Sequence, residues 1–356
     1  MFLDLLQYTA VFLRHQAETL IGRSSHFRSK RKELDSCDIK VIKEAAQKLG
    51  IEVENLGFNA YELKKGNIIR RIKTDMTNDL DNAFTYWLTG NKYVTFEILK
   101  KYGIKNIPCC SVYSLANIQD ARREFLDRKK AVVVKPCYGT SGGRGVTVNI
   151  RILRDLKKAI YTALIYDRHY VIEDFIEGDS YRLLFLKDIL IGAVRRIPAN
   201  VKGDGIHSIK KLISQENWKR LNDNSYAALV PINQDNDLKQ KLKNTNISLD
   251  YIPSKGELIY IKSICNFSAG GESEEVSKWV NHGIIEECRK IVKIMNLSLA
   301  GIDIITNDIS ESLSKSGGII NEVNTSPGLD LHYKVKNQEE RREVAVEILG
   351  YMFNLN

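Results

Sequence analysis

The sequence predicts a mixed α+β fold in which a small N-terminal α/β unit is divided from the rest near residue 105. Three observations predict it. Segments with helical apolar spacing alternate with short apolar or alternating runs along most of the chain. A glycine-rich turn sits between two β-branched runs near the middle. Close to the end, two apolar strands joined by a polar loop carry acidic and amide side chains, two of them two residues apart and so on one face. A chain of 356 residues suits two or three packed units and buries a sizeable core.

In the N-terminal unit, Ile39, Val41, Ile42, Ala45, Ala46 and Leu49 give residues 38–49 helical spacing, closed by Gly50, and 51–54 alternates as a strand. Residues 67–72 read as a further strand, and 78–88 and 94–102 as helices, the second stopped by Gly103. Pro108 and the apolar run 131–134 then open a new unit. From there the order is strand, glycine-rich turn, strand (145–150), helix (152–166), strand (170–173) and two strands at 181–186 and 190–197. A glycine-containing stretch at 202–207 precedes a helix from residue 208. Residues 219–246, rich in Asn, Lys and Asp, are expected to form short helices or an insertion. A strand over 257–264 leads to Asn266-Phe-Ser-Ala-Gly-Gly271. A helix over 283–295 carries Ile284, Ile285, Cys288, Ile291, Val292 and Met295 on one stripe that packs behind the last two strands.

Lys and Arg exceed Asp and Glu by 53 to 44, a net charge of +9 that favours an anionic partner, which nucleotide phosphates satisfy as well as nucleic acid does. The densest basic cluster, 28–32, has no interleaved aromatics and reads as a solvated face, so no nucleic-acid partner is expected. The six cysteines contain no Cys-x-x-Cys, which argues against a zinc site or a disulfide framework. Residues 1–13 are apolar but broken by Asp4 and Gln7 and lack a basic lead. Neither signal peptide nor membrane partner is expected, and a soluble cytoplasmic protein follows.

Three constellations carry chemistry. Asp303 on one late strand and Glu322 and Asn324 on the next present hard oxygen ligands without His or Cys, a set that suits Mg²⁺ completed by water and nucleotide phosphates. Lys135 ends a buried strand and is followed by Gly139, Gly142, Gly143 and Gly145, whose backbone N–H groups can close on an anion as a phosphate cradle. The lysine precedes the glycines and a strand follows them, so this is neither a Gly-x-x-x-x-Gly-Lys-Ser/Thr loop nor a dinucleotide fingerprint. Asp174, Phe175 and Ile176 follow Glu173 at the end of a strand and run into a polar turn, where apolar surface and free backbone groups suit an adenine ring. No Gly-x-Ser-x-Gly or His-Glu-x-x-His competes, and His207 and His332 read as structural or substrate-orienting.

Taken in order, these motifs carry a resemblance. Lys92 before a helix ending in Gly-Ile, Val-Val-Lys-Pro with Gly-Arg-Gly-Val, Glu-Asp-Phe-Ile-Glu-Gly, Gly-Asp-Gly-Ile-His-Ser-Ile, Asn-Phe-Ser-Ala-Gly-Gly, Gly-Ile-Asp-Ile-Ile and Asn-Glu-Val-Asn-Thr-Ser-Pro-Gly resemble the ATP-grasp superfamily over roughly residues 38–350. The likeness is in particular to the ATP-grasp region of cyanophycin synthetase and of bifunctional glutathione synthetases. It implies a pre-ATP-grasp α/β unit (1–105), a lid lobe with the glycine-rich loop (106–185) and a C-terminal lobe with the Mg²⁺ site (186–356), the two α+β lobes enclosing ATP. It also implies a ligase in which a carboxylate of an amino acid or peptide takes the γ-phosphate and the acyl phosphate is opened by an amine. By matching position, Lys92 and Lys135 would hold phosphates, the 139–145 loop would cover them, and 173–176 would hold adenine. Asp303, Glu322 and Asn324 would carry Mg²⁺, as two ions. Arg182 and Arg196 match arginines of the catalytic centre, and Asn266 and Ser268 match the loop lining the acyl phosphate. A homo-oligomer would be in keeping with this reading.

The chain departs from that pattern in places. Its glycine loop is one residue longer than Lys-Pro-x-x-Gly-Asn-His-Gly-Arg-Gly and lacks the Asn-His pair. Ser180 stands where relatives grip the ribose with an acid, and Asp179 is one place early. These departures leave open a noncatalytic or regulatory nucleotide-binding protein of the same fold. Asp330 replaces an arginine typical of cyanophycin synthetases, which predicts that the amine acceptor is neutral or cationic unless Asp330 pairs with Lys334. A length of 356 leaves no room for a second, Mur-ligase-like module, so the complete two-step polymerase is not expected.

Overall fold

The computed structural model describes residues 8–13, 16, 36–139, 143–222, 229–263, 265 and 267–355. The N-terminal unit opens with a helix, Cys37–Lys48, capped by the Ser36 hydroxyl accepting from the Ile39 N–H at 3.3 Å. Its Ile39, Val41, Ile42, Ala45 and Ala46 are buried, as the spacing predicts. Strands β1 (Glu52–Gly57), β2 (Ala60–Lys65) and β3 (Ile68–Lys73) form an antiparallel meander. Phe58 and Asn59 turn β1 into β2 with positive φ at both positions, the geometry of a tight hairpin. Two helices follow, Ala83–Gly90 and Lys92–Lys101. The first begins later than the expected residue 78, because the Asn82 side chain caps it through the Thr85 N–H.

A second sheet is built from β4 (Cys110–Ser114), β5 (Val132–Pro136), β6 (Thr147–Ile150) and β7 (His169–Asp174), in the order β4-β7-β5-β6. Helices Ile118–Arg128 and Leu153–Leu164 cover it, with Phe125, Leu156, Ile160, Tyr170 and Ile172 in its core. The third unit contains β8 (Asp179–Leu186), β9 (Ile189–Ile197), β10 (Asn200–Lys202), β11 (Leu258–Tyr260), β12 (Glu272–Glu275), β13 (Leu299–Thr306) and β14 (Ile319–Asn324). Five of these make an antiparallel sheet, β12-β9-β8-β13-β14, while β10 and β11 pair separately. The expected strand over 257–264 is only the three residues of β11. The expected division at 185/186 is corrected as well: it cuts a hairpin, since β8 pairs directly with β9, and the lid sheet ends at Asp174.

The back face of the five-stranded sheet is apolar. Leu183, Phe185, Ala300, Ile302, Ile304, Ile320 and Val323 pack against Ile284, Cys288, Ile291, Val292 and Met295 of the helix His282–Met295, as the stripe predicts. Phe96 and Leu99 join the same core, so the helix Lys92–Lys101 packs with this unit despite lying before residue 105. On the front face, Leu184, Leu186 and Leu299 instead meet the N-terminal unit and the last helix, Val344–Met352. Between β10 and β11, helices Ile209–Asn222 and Asn236–Asn244 close a small satellite core of Val201, Ile209, Ile213, Leu238 and Ile261. Among the described residues no helix is long and apolar enough to cross a membrane.

Candidate active site

The front face of the five-stranded sheet changes from apolar to charged along its strands. Asp303 lies opposite Arg182 on one side and Glu322 on the other, so β8, β13 and β14 present three charged side chains in one row. Asn324 is two residues beyond Glu322 and faces the same way. Arg196, on β9, reaches the same point with its Nη2 2.8 Å from Asp303 Oδ1. Arg182 grips Asp303 through both Nε and Nη2, the latter 3.2 Å from Oδ2. Burial raises the Asp303 carboxyl, but the two guanidinium groups outweigh it and hold it below the usual carboxylate range. For Arg196, burial and the charge of Arg182 together pull its pKa below the usual arginine value. Gly301 makes this arrangement possible: a Cβ there would lie 2.8 Å from Arg182 Nη1.

The lid sheet faces this row. Lys135 at the end of β5 sends Nζ 2.6 Å from Glu173 Oε2 on β7, and both side chains are almost fully buried. Burial disfavours the ammonium, yet Glu173 and Glu322 raise the Lys135 pKa overall. Lys92, at the start of its helix, pairs with Glu322 Oε1 at 3.2 Å. Glu173 Oε1 is buried and has no hydrogen-bond partner among the described residues.

A cavity of about 800 Å³ lies between the sheets. Of the residues expected from the sequence, Lys92, Lys135, Gly143, Glu173, Asp174, Phe175, Ile176, Asp179, Arg182, Arg196, Asp303, Glu322 and Asn324 line it. Gly139 and Gly145 do not; they have φ of +75° and +79°, and Gly145 packs at the loop base against Pro136 and Tyr166. Gly142, Asn266 and the Ser268 side chain lie outside the described residues. Two groups of the expected adenine segment have partners within the protein: the Asp174 carboxylate binds Arg128 Nη1 at 2.7 Å, and the Phe175 N–H donates to Ala131 O at 2.9 Å. Asp179 is held by Arg195 at 2.8 Å, while Ser180 shares the cavity-facing row with Arg182.

Asp330 does not line the cavity; its N–H donates to Asp38 Oδ1, as does that of Leu329, each at 2.8 Å. Nor does it form the expected ion pair with Lys334 among the described residues. His207 bonds Asp204 in a surface turn at 2.6 Å. His332 is wholly buried over Gly192, both ring nitrogens unpartnered among the described residues, with its pKa pushed down to about 3 by burial and by Arg182 and Arg196. The sequence reading missed Arg195, Lys241, Tyr260, Lys262 and the apolar Val133, Val146, Val148, Ile305 and Ile319, all of which line the cavity. Position on or beside β5, β6, β13 and β14 was the available signal for the apolar set; Lys241 lies in a segment with no readable period. Among the described residues no cluster of three or more His, Cys, Asp or Glu side chains is placed to hold a metal by itself.

No family model matches the chain. It is similar to the glutathione biosynthesis bifunctional protein of Listeria innocua, 29% identical over 312 residues, which cover 86% of this chain and 40% of that protein. It is also similar to the cyanophycin synthetase of Trichormus variabilis, 29% identical over 315 residues, 88% of this chain and 34% of that one. The crystal structure of a bifunctional glutathione synthetase from Pasteurella multocida superposes with a TM-score of 0.62 at 24% identity, over 90% of this chain and 43% of that chain. The chain thus spans about two fifths or less of the length of these relatives. Its fold is the ATP-grasp fold that the motifs implied.

Proposed function

We propose that this chain is an ATP-dependent, ADP-forming ligase that joins the carboxylate of an amino acid or peptide to an amine through an acyl phosphate. The observation that carries the reading is the convergence on one cavity of Lys92, Lys135, Arg182, Arg196, Asp303, Glu322 and Asn324, drawn from six secondary-structure elements. Phosphoryl transfer to a carboxylate needs positioned charge rather than a nucleophilic side chain, because the substrate itself is the nucleophile. Lys92 and Lys135 are buried cations suited to phosphate oxygens. The apolar side chains of Val133, Val146, Val148 and Ile319, which line the cavity, suit a purine.

The donor set fits magnesium. Asp303, Glu322 and Asn324 are all-oxygen ligands on neighbouring strands and too few to complete a coordination shell, which leaves positions for phosphate and water. Bound there, Mg²⁺ would supply charge neutralisation at the phosphates. Arg182 and Arg196, oriented by Asp303, would hold the reacting carboxylate and stabilise charge as the acyl phosphate forms and as the amine displaces phosphate. The likeness to two kinds of biosynthetic ligase supports this chemistry.

The test is to incubate the protein with ATP, Mg²⁺ and pooled amino acids and dipeptides, reading new masses and the nucleotide product. ADP with an amide product is expected. AMP would overturn the acyl-phosphate step, and no acid-dependent nucleotide cleavage would overturn the ligase.

A further inference from the structure

The cavity does not stop at the arginine centre. β14 and β9 are three strands apart in the sheet, about 14 Å between their backbones, although the Arg196 guanidinium reaches back to Asp303. The lysine and Glu322 end takes phosphates in the reading above, which leaves the β9 end for the rest of the acid substrate. The satellite unit supplies a further part of the cavity wall: Tyr260 at the end of β11, Lys262, and Lys241 in the last turn of the helix Asn236–Asn244.

This wall is cationic, and its acids are engaged. Asp235 caps that helix through the Leu238 N–H and holds the fully buried Lys262 at 2.7 Å, Asp237 accepts from the Ser263 N–H, and Asp179 holds Arg195. Lys241 is different: it is half-buried, lines the cavity and has no ion-pair partner among the described residues. The wall is also fixed in place. Arg220 is buried in the helix Ile209–Asn222, and its guanidinium bonds Glu216 and the carbonyls of Val230 and Gly270, each at 2.8 Å, tying the satellite to the segment entering β12.

Resting on the ligase reading for the position of the reacting group, we propose that Lys241 with Tyr260 forms a second anion subsite that selects acid substrates carrying a further carboxylate beyond the one that is activated. A monocarboxylic acid would leave this ammonium without a partner, whereas a dicarboxylic amino acid or a peptide with an acidic residue would satisfy it.

Matched probes decide it: norvaline against glutamate, and alanyl-norvaline against alanyl-glutamate, each titrated calorimetrically into protein loaded with a non-hydrolysable ATP analogue and Mg²⁺. The dicarboxylate of each pair is expected to bind about tenfold or more tightly, the scale of one charge-assisted hydrogen bond. That ratio should fall toward one in Lys241→Glu and persist in Lys243→Glu, which makes the same change of net charge on an exposed position of the same helix. Equal ratios in wild type and Lys241→Glu, or an equal loss in Lys243→Glu, would overturn the subsite. ADP release with the same probes keeps the two readings apart. Selective binding without turnover removes the ligase and leaves the subsite, while turnover with no preference does the reverse.

Discussion

At the scale of single residues, most of the charged centre was legible because β-strand geometry fixes which side chains share a face. Asp303, Glu322 and Asn324 meet Arg182 and Arg196 as spacing and motif order implied. The same alternation gives Glu173 and Asp174 different partners: the first carboxylate binds Lys135 and the second Arg128. Lys241 was not legible, since its place in the cavity comes from the packing of the satellite unit and from no local pattern. The central residue prediction concerns Glu322. Glu322→Gln keeps an oxygen that can accept from Lys92, so the thermal melting temperature should change little. Turnover, read as acid-dependent phosphate release, should fall by roughly two or more orders of magnitude, the scale of losing a contact to developing transition-state charge. Near-normal turnover would remove Glu322 from the metal set.

Among the elements, those with strong period and clear caps were read well, such as the helices Cys37–Lys48 and His282–Met295. The strand β2 was missed although Tyr61 and Leu63 alternate, because flanking Glu and Lys residues dilute a six-residue signal. The hairpin β5–β6 gives the element-scale prediction. Gly145 sits at φ +79°, and a Cβ there would lie 2.7 Å from both Pro136 Cγ and Tyr166 Cδ2. Gly145→Ala therefore carries a left-handed backbone cost and an overpacking cost, together about 2–4 kcal/mol. Urea unfolding should show a lowered midpoint. Gly139→Ala, with the same sign of φ but nothing within 4 Å among the described residues, should lose only the backbone part.

For the molecule as a whole, the front of the five-stranded sheet joins two buried titratable groups with opposite effects on stability. Burial and the nearby Asp330 push the Asp38 carboxyl up to about 7, so the folded state holds a proton that the unfolded chain has released above about 4. That contribution to stability is present at low pH and lost as pH rises toward and through 7. His332, pushed down to about 3, works the other way: its contribution is present above the unfolded value of about 6.5 and lost as pH falls toward 3. Between about pH 4 and 6.5 the two slopes oppose each other. Asp38→Asn should therefore expose a stability that rises with pH by up to about 1.4 kcal/mol per unit in that window, and His332→Leu one that falls. Parallel profiles for wild type and both variants in denaturant titrations would refute this pairing. The charge row and its motif order revealed the architecture of the lobes, but the docking of Asp38 beneath Leu329 and Asp330 joins segments almost 300 residues apart.

The placement of the helix Val344–Met352 has a consequence for the birth of the molecule. Its Val344, Ile348, Leu349 and Met352 fill the same core as Ile39, Ile42 and Leu63. A chain emerging from the ribosome has synthesised all of the first unit long before this helix exists, so that unit's apolar face stays open until translation has passed residue 352. The lid sheet, whose core is drawn mainly from residues 118–172, can condense early, whereas the first unit must wait for the last helix. Arrested nascent chains ending near residue 330 should accordingly show a protease-resistant lid and a protease-sensitive N-terminal unit.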